Sequence, residues 1–306
     1  MKTLKLLEGW KKDLSKYKYL YIMAIPMVVY YILFNYMPMY GAVIAFKDFS
    51  AGLGTWGSRY AGLKYFSLFF NDVYFGRILR NTIEISLLDL AFGFPAPIIL
   101  ALLINEVRQN WFKKLVQTVS YVPHFISMMV IAGLIIDFTS RDGAINDLLA
   151  LFGVERKTML LVPGLFKPIY IISDIWQKIG WGSIVYLGAL TGVDPELYEA
   201  ASIDGTGRFG KIIHVTIPGI LPTIIIMLIL RLGSIMNVGY EKIILLYNPT
   251  IYETSDVISS YSYRMGLQNM NYSYSTAVGL FNSVINFLLV IGANTISRKV
   301  GETSLW

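Results

Sequence analysis

Residues 205 to 211 read Gly-Thr-Gly-Arg-Phe-Gly-Lys, which satisfies G-x-G-x-x-G and the first seven positions of G-x-x-x-x-G-K-[ST]. Both patterns hold phosphate when backbone N–H groups wrap the anion after a buried strand and a hydroxyl follows for magnesium. Ile212 stands where that hydroxyl belongs. Upstream, Asp194-Pro195-Glu196 reads as a helix opening, with a capping carboxylate, a proline at the first helical position and an acid at the positive end. Gly205 is placed to end that helix in the left-handed conformation, and Thr206 to cap a second short helix carrying Arg208, Phe209, Ile212 and Ile213. Pro218 marks the start of a longer helix. The glycines thus follow a helix rather than a strand, and the connection 191–218 is too short for a nucleotide-binding domain. An exposed helix–turn–helix with apolar tips suits docking into a groove of another protein.

A second set of reactive side chains is scattered through apolar runs. Asp174, Gln177, Lys178 and Trp181 fall on one helical face by their three- and four-residue spacing. Arg231, Ser234, Asn237 and Glu241 fall within an arc of roughly 120° on a continuous helix, and Gly279, Asn282 and Asn286 align in the same way. Polar groups at membrane depth usually face a bundle interior or a watery path, so three such stripes suit a cavity for a hydroxyl-rich ligand. Trp176, Gln177, Trp181, Asn237, Tyr240 and Asn282 supply the aromatic faces and amides that sugars engage. Each also has a structural reading: Asp174 with Lys178 as an internal couple, Arg231 neutralising Glu241, Asn286 joining two helices. Glu84 and Asp89 belong to a path or to a subunit interface. Met128 and Met129 read as packing, and His124 as a satisfied polar group.

Those elements must be membrane helices. Hydrophobic residues make up 55% of the 306 and charged residues 15%, where a soluble domain carries roughly 25% charge. With no cysteine and two histidines, disulfide scaffolds, thiol catalysis and ordinary metal sites are excluded or nearly so. Runs of about 20 apolar residues predict six crossings at 19–46, 83–104, 116–138, 169–190, 220–238 and 277–296. The first is too long for a signal peptide and has no cleavage site. Lys11, Lys12, Lys16 and Lys18 before it, Arg108, Lys113 and Lys114, Arg208 and Lys211, and Arg298 and Lys299 place both termini in the cytoplasm, although Arg59, Lys64, Arg77, Arg141, Arg156 and Lys157 would then lie outside. The net charge of +6 therefore reads as topology, not nucleic-acid binding. Trp56, Tyr60, Tyr65, Phe66, Phe69 and Phe70 read as anchors at the lipid interface. The expected organisation is an N-terminal segment with first helix and outer loop (1–76), a core domain (77–298) holding the cytoplasmic loop 191–218, and a short tail (299–306).

Within that loop, Glu199-Ala200-Ala201, then Gly205, then Val215-Thr216-Ile217-Pro218 resembles the signature of the membrane subunits of ATP-binding-cassette importers: Glu-Ala-Ala, three residues, Gly, nine residues, Ile-x-Leu-Pro. Two of its last four positions carry conservative replacements. Ile175 to Trp181, Tyr186 to Leu190 and Pro195 to Ala201 look like permeases of the carbohydrate-uptake branch. Arg231 to Ser234, Asn237 to Glu241, Tyr247-Asn-Pro249, Ser275 to Phe281 and Ser304-Leu-Trp306 are similar to polysaccharide or complex-oligosaccharide permeases of Gram-positive lineages. The resemblance covers effectively the whole chain. It implies an all-α, polytopic type I importer permease in the plasma membrane that is not itself an enzyme, paired with a second homologous permease. Two copies of a cytoplasmic ATPase would hold ATP and Mg, with no cofactor on this chain, and an extracellular lipoprotein would deliver the sugar. Glu199 would then be the acidic contact to the ATPase, Gly205 the turn, Phe209 an apolar knob, and Asp204 would fix the turn or meet a basic group.

Other readings are a non-sugar importer, an ion-coupled secondary transporter and a polytopic membrane enzyme. The last needs a catalytic constellation, and no H-E-x-x-H or nucleophile elbow appears; the transporter would show repeats and broken midplane helices. The docking role predicts that Glu199→Lys abolishes uptake while the subunit still folds and inserts, read by transport assay alongside membrane yield; normal transport would refute it.

Overall fold

The computed structural model describes residues 16 to 301. Lys2, Lys5, Lys11 and Lys12, most of the tail and the Ser304-Leu-Trp306 motif lie outside the described residues. The described chain is helical apart from a two-residue antiparallel ladder, Lys47–Asp48 with Arg59–Tyr60. In lipid every backbone polar group must be satisfied within the segment, which favours helices. Four helical runs are long and apolar enough to cross a membrane: α1 (Lys18–Phe46), α2 (Phe75–Glu106), α7 (Arg208–Leu232) and α8 (Tyr272–Gly301). Between α2 and α7 lie α3 (Asn110–Phe125), α4 (Met128–Thr139), α5 (Pro163–Leu190) and α6 (Pro195–Ile203).

The predicted single crossing at 116–138 is instead two helices, α3 and the segment beginning with α4, bent by 103°. After Pro123 the backbone turns extended at Ile126 and Ser127, and the Ser127 hydroxyl caps α4 by accepting from Val130 N at 3.4 Å. Helix α5 spans 28 residues but carries Lys167, Asp174 and Lys178, so it is too polar for the apolar criterion that the other four meet.

Among the prolines that leave their helices continuous, three share a common device. Pro38, Pro95 and Pro218 each follow a five-residue π turn, at Ile32–Tyr36, Asp89–Gly93 and Ile212–Thr216. A proline ring clashes with the carbonyl four residues back and offers no N–H. Each of those carbonyls lies in the widened turn, where the chain bonds at i−5, as in Phe94 N to Asp89 O at 2.9 Å. Pro218 therefore sits inside α7 rather than at the start of a separate helix, and the second arm of the loop continues into the membrane span.

Helix α5 is the centre of the bundle, packed on the Pro95–Glu106 part of α2, on α3 and on α7. Close approach depends on Gly180, where a Cβ would lie 2.1 Å from the Ser120 carbonyl oxygen, and on Gly182, where it would lie 2.9 Å from Pro97. Helix α1 contributes only its last turns, Tyr40–Phe46, which pack on α8; the apolar window of α1 is otherwise exposed within this chain. At the end of the bundle carrying residues 47–74, Phe69 is fully buried with Phe75, Tyr274 and Phe281, Phe66 packs on Phe46, and Tyr65 donates to Asp48 at 2.8 Å. These three aromatics are thus internal packing rather than interface anchors, while Trp56 and Tyr60 stay exposed.

The crowding at Gly180 predicts that Gly180→Ala destabilises the detergent-purified protein by about 1–3 kcal/mol through overpacking. Gly188 has open space where a Cβ would go, so Gly188→Ala is neutral or stabilising by up to ~1 kcal/mol. Thermal melting of the two variants in parallel checks the contrast.

Candidate functional site

The loop 191–218 folds as a rigid bracket. Asp194 accepts from Glu196 N at 2.9 Å, opening α6, and Gly205 at φ +73° closes it, with Thr206 N reaching Ala201 O at 2.9 Å. The second arm is capped by the backbone of Gly207, with no side-chain bond from Thr206, because the chain runs extended through Gly207 before turning into Arg208. Lys211 Nζ donates to Ser202 Oγ at 2.6 Å and the Tyr198 hydroxyl to Thr216 Oγ1 at 3.1 Å, so the arms are cross-tied. Val193 fits against Gly219 and joins Ala101, Tyr186, Leu190 and Ile220 in a buried cluster that fixes the bracket to α2, α5 and α7. Beyond these ties the tip is bare: Ile203 is 87% and Phe209 75% exposed, and Glu199, Ala200 and Asp204 face outward beside them.

Near the middle of α2 and α5 lies a cavity of about 390 Å³ whose walls include Asp89, Phe94, Trp181, Tyr186 and Leu230. A smaller, polar pocket of about 70 Å³ adjoins it, and Asp89, Asp174, Lys178 and Arg231 line both. Arg231 forms an ion pair with Asp89, not with Glu241 as the spacing suggested. Asp89 is the first residue of the π turn in α2, whereas Glu241 lies beyond the end of α7 on an exposed face. Lys178 Nζ reaches Asp174 Oδ1 at 3.0 Å, and Lys242, almost wholly buried, reaches the same oxygen at 3.5 Å. Trp181 stacks on His124 with centroids 4.5 Å apart and planes 1° from parallel, across the bend between α3 and α4.

The predicted stripe Arg231, Ser234, Asn237 and Glu241 does not lie on one helix. Helix α7 ends at Leu232, a turn follows, and a short helix Tyr240–Leu246 begins after Gly239. The backbone freed by that break is met from α8: Asn286 Oδ1 accepts from Met236 N at 3.0 Å, while Asn286 and Asn282 both donate to Asn237 Oδ1, at 3.2 and 2.7 Å. Asn237, Tyr240, Asn282, Ser259 and Ser283 line another cavity of about 360 Å³. Trp176 belongs to neither cavity; it lines an apolar recess with Val119 and Pro123 on a different face of α5. Gln177 is buried, and its Oε1 has no hydrogen-bond partner among the described residues. Sequence reasoning overlooked Lys242, because a lysine in a short apolar helix gives no periodic signal, and it left Asp89 undecided, because its partner lies 142 positions away.

The family model described as "Binding-protein-dependent transport system inner membrane component" matches residues 93–302. The chain is 45% identical to Protein LplB of Bacillus subtilis (strain 168), over 97% of this chain and 94% of that one. It is 44% identical to the polygalacturonan/rhamnogalacturonan transport system permease protein YteP of the same organism, over 96% and 92%. A solved chain of a bacterial alginate ABC transporter, in complex with an alginate pentasaccharide-bound periplasmic protein, superposes with a TM-score of 0.88 at 44% identity, covering 96% of this chain and 99% of that one.

Removing one partner of the Asp89–Arg231 pair strands the other at membrane depth. Arg231→Met is expected to cost about 2–3 kcal/mol, below the cost of a fully buried pair because the arginine is partly open to the cavity. The double variant Asp89→Asn/Arg231→Met is expected to recover most of that loss, giving a coupling that a thermal-melting double-mutant cycle reads directly.

Proposed function

This chain belongs to the family of binding-protein-dependent transport system inner membrane components, and from that premise we propose that it is one permease of an ATP-driven importer that carries an oligosaccharide or polysaccharide fragment into the cell. The carbohydrate cargo is supported by the relatives named for polygalacturonan/rhamnogalacturonan and alginate transport. It is supported equally by the cavity, where the Trp181 ring stands among apolar walls beside Asp89, Asp174, Lys178 and Arg231, a mix that holds a sugar's C–H surface and its hydroxyls. The four apolar helices, the bent pair of α3 with the α4 segment, and α5 make up six passes with both termini in the cytoplasm. The loop 191–218 then lies on the cytoplasmic side.

One observation carries the mechanism: Phe209 and Arg231 stand near opposite ends of a single helix, α7, which runs unbroken for 25 residues. At 1.5 Å per residue they are about 33 Å apart. A displacement of the Phe209 tip by a docked ATPase reaches Arg231 and Asp89 along that rod, and the buried cluster around Val193 moves α2 and α5 with it. In this reading Glu199, Ala200, Ala201, Asp204, Gly205 and Phe209 meet the ATPase, and Pro218 with its π turn keeps the rod continuous. Two ATPase copies, bound to ATP and Mg, sit beneath this chain and a second homologous permease, with no cofactor on this chain itself. Their closure and opening shift the population between outward- and inward-facing states. An extracellular lipoprotein presents the sugar, which passes between the subunits without chemical change.

Gentle extraction of the tagged full-length chain from its native membrane tests the reading. A second permease and a Walker-motif ATPase should co-purify in near-equal amounts, and uptake by the assembly should be blocked by excess oligosaccharide and not by amino acids. Recovery of a stable, folded chain alone would refute it.

A further inference from the structure

We infer that the cavity beside Trp181 takes saccharides that carry carboxylates, and that Lys178 is the group that meets them; this rests on the carbohydrate importer proposed above. The two carboxylates and two cations that line the adjoining pockets balance by number, but the buried Lys242 behind Asp174 adds a third cation. Arg231 and Asp89 form a closed pair. Asp174 is shared by two ammonium groups, Lys178 at 3.0 Å and Lys242 at 3.5 Å. Of these two, Lys242 has the prior need for the carboxylate. Its side chain is 1% exposed, and it also meets the Tyr170 carbonyl at 3.3 Å and the Tyr170 ring at 4.9 Å, neither of which carries a charge. Lys178 is half exposed to the cavity. Among the described residues, no further Asp, Glu, Lys or Arg lines either pocket. With Lys242 counted, three cations face two carboxylates, and the surplus charge resides on the lysine that a ligand can reach.

A surplus cation held among apolar walls is costly and is compensated when the ligand brings an anion. A neutral sugar leaves Lys178 to its hydration, whereas a uronate offers a charge-assisted hydrogen bond. The geometry suits both parts of such a ligand. Lys178 and Trp181 are three residues apart on α5, hence about 5–6 Å apart at Cβ on one face. A pyranose ring lying on Trp181 therefore brings its exocyclic carboxylate within reach of the ammonium. The stack of Trp181 on His124 holds that ring face in place.

The test uses the assembled importer, with its own binding protein, in membrane vesicles. The probes are galacturonate and mannuronate tetramers, each paired with its carboxyl-reduced counterpart, which keeps the linkages and replaces the carboxylate by a hydroxymethyl group. The readout is the ratio of acid to neutral uptake within each pair. Because every variant meets the same binding protein, that protein's own preference cancels in the comparison. The ratio is expected to fall about tenfold or more in Lys178→Gln and to be largely retained in Lys178→Arg. A merely structural role would lower both uptakes alike, so an unchanged ratio in Lys178→Gln overturns the inference. Uptake of neither member of either pair by the unsubstituted importer, with amino-acid uptake intact, overturns instead the carbohydrate reading on which it rests.

Discussion

A charged side chain placed at membrane depth has to find its counter-charge inside the protein, and the Asp89–Arg231 pair is where this chain meets that requirement between two of its apolar spans. It ties the π turn of α2 to the far end of α7. The neighbouring Asp174 does the same for α5 and the short helix Tyr240–Leu246, through Lys242. Hydrophobic packing alone cannot order helices in a solvent as apolar as they are. Pairs that join different helices can, because each exchange of partners strands a charge. The register of α2, α5 and α7 around the cavity follows from these contacts together with the close approaches at Gly180 and Gly182.

One of the paired helices also links the exposed loop to the cavity without a break. In α7 a π turn absorbs Pro218 without interrupting the helix, so the exposed apolar tip at Phe209 and the cavity residue Arg231 belong to one rod. Beyond Leu232 the rod does stop, and the chain becomes irregular among Asn237, Asn282 and Asn286. Broken backbone is tolerated inside a membrane only where other protein groups satisfy it or where it borders a watery space. Here both hold: Asn286 replaces the lost helical partner of Met236 N, and Asn237 with Asn282 edges a cavity. Helix α7 is thus continuous on the side of the bracket and interrupted on the side of the second cavity.

Much of this was legible in the residue order. The Asp194 cap, the Gly205 turn, the exposed Phe209 tip and the polar character of Asp174, Gln177, Lys178, Asn282 and Asn286 are local properties, set by propensity and by three- and four-residue spacing. Membrane class and helical fold follow from composition and from run length. The misread helix boundaries share one cause. Pro123 breaks a predicted span, Pro218 does not open a new one, and Gly233 to Gly239 interrupt a predicted stripe. Whether a helix continues through such residues depends on what neighbouring helices offer its freed backbone, and no local pattern records that.

The sequence by itself determined that this is a helical membrane protein, that its 191–218 loop is an exposed helix–turn–helix and not a phosphate cradle, and that polar groups line an internal face. Only the tertiary structure decided that Arg231 meets Asp89 instead of Glu241, that Lys242 stands behind Asp174, that Trp181 lies on His124 while Trp176 faces away, and that α7 is continuous from bracket to cavity. The physical reason is that caps, turns and periodicity act over a few residues. Charge pairing and ring stacking act through space, between positions that the chain order keeps as much as 142 residues apart.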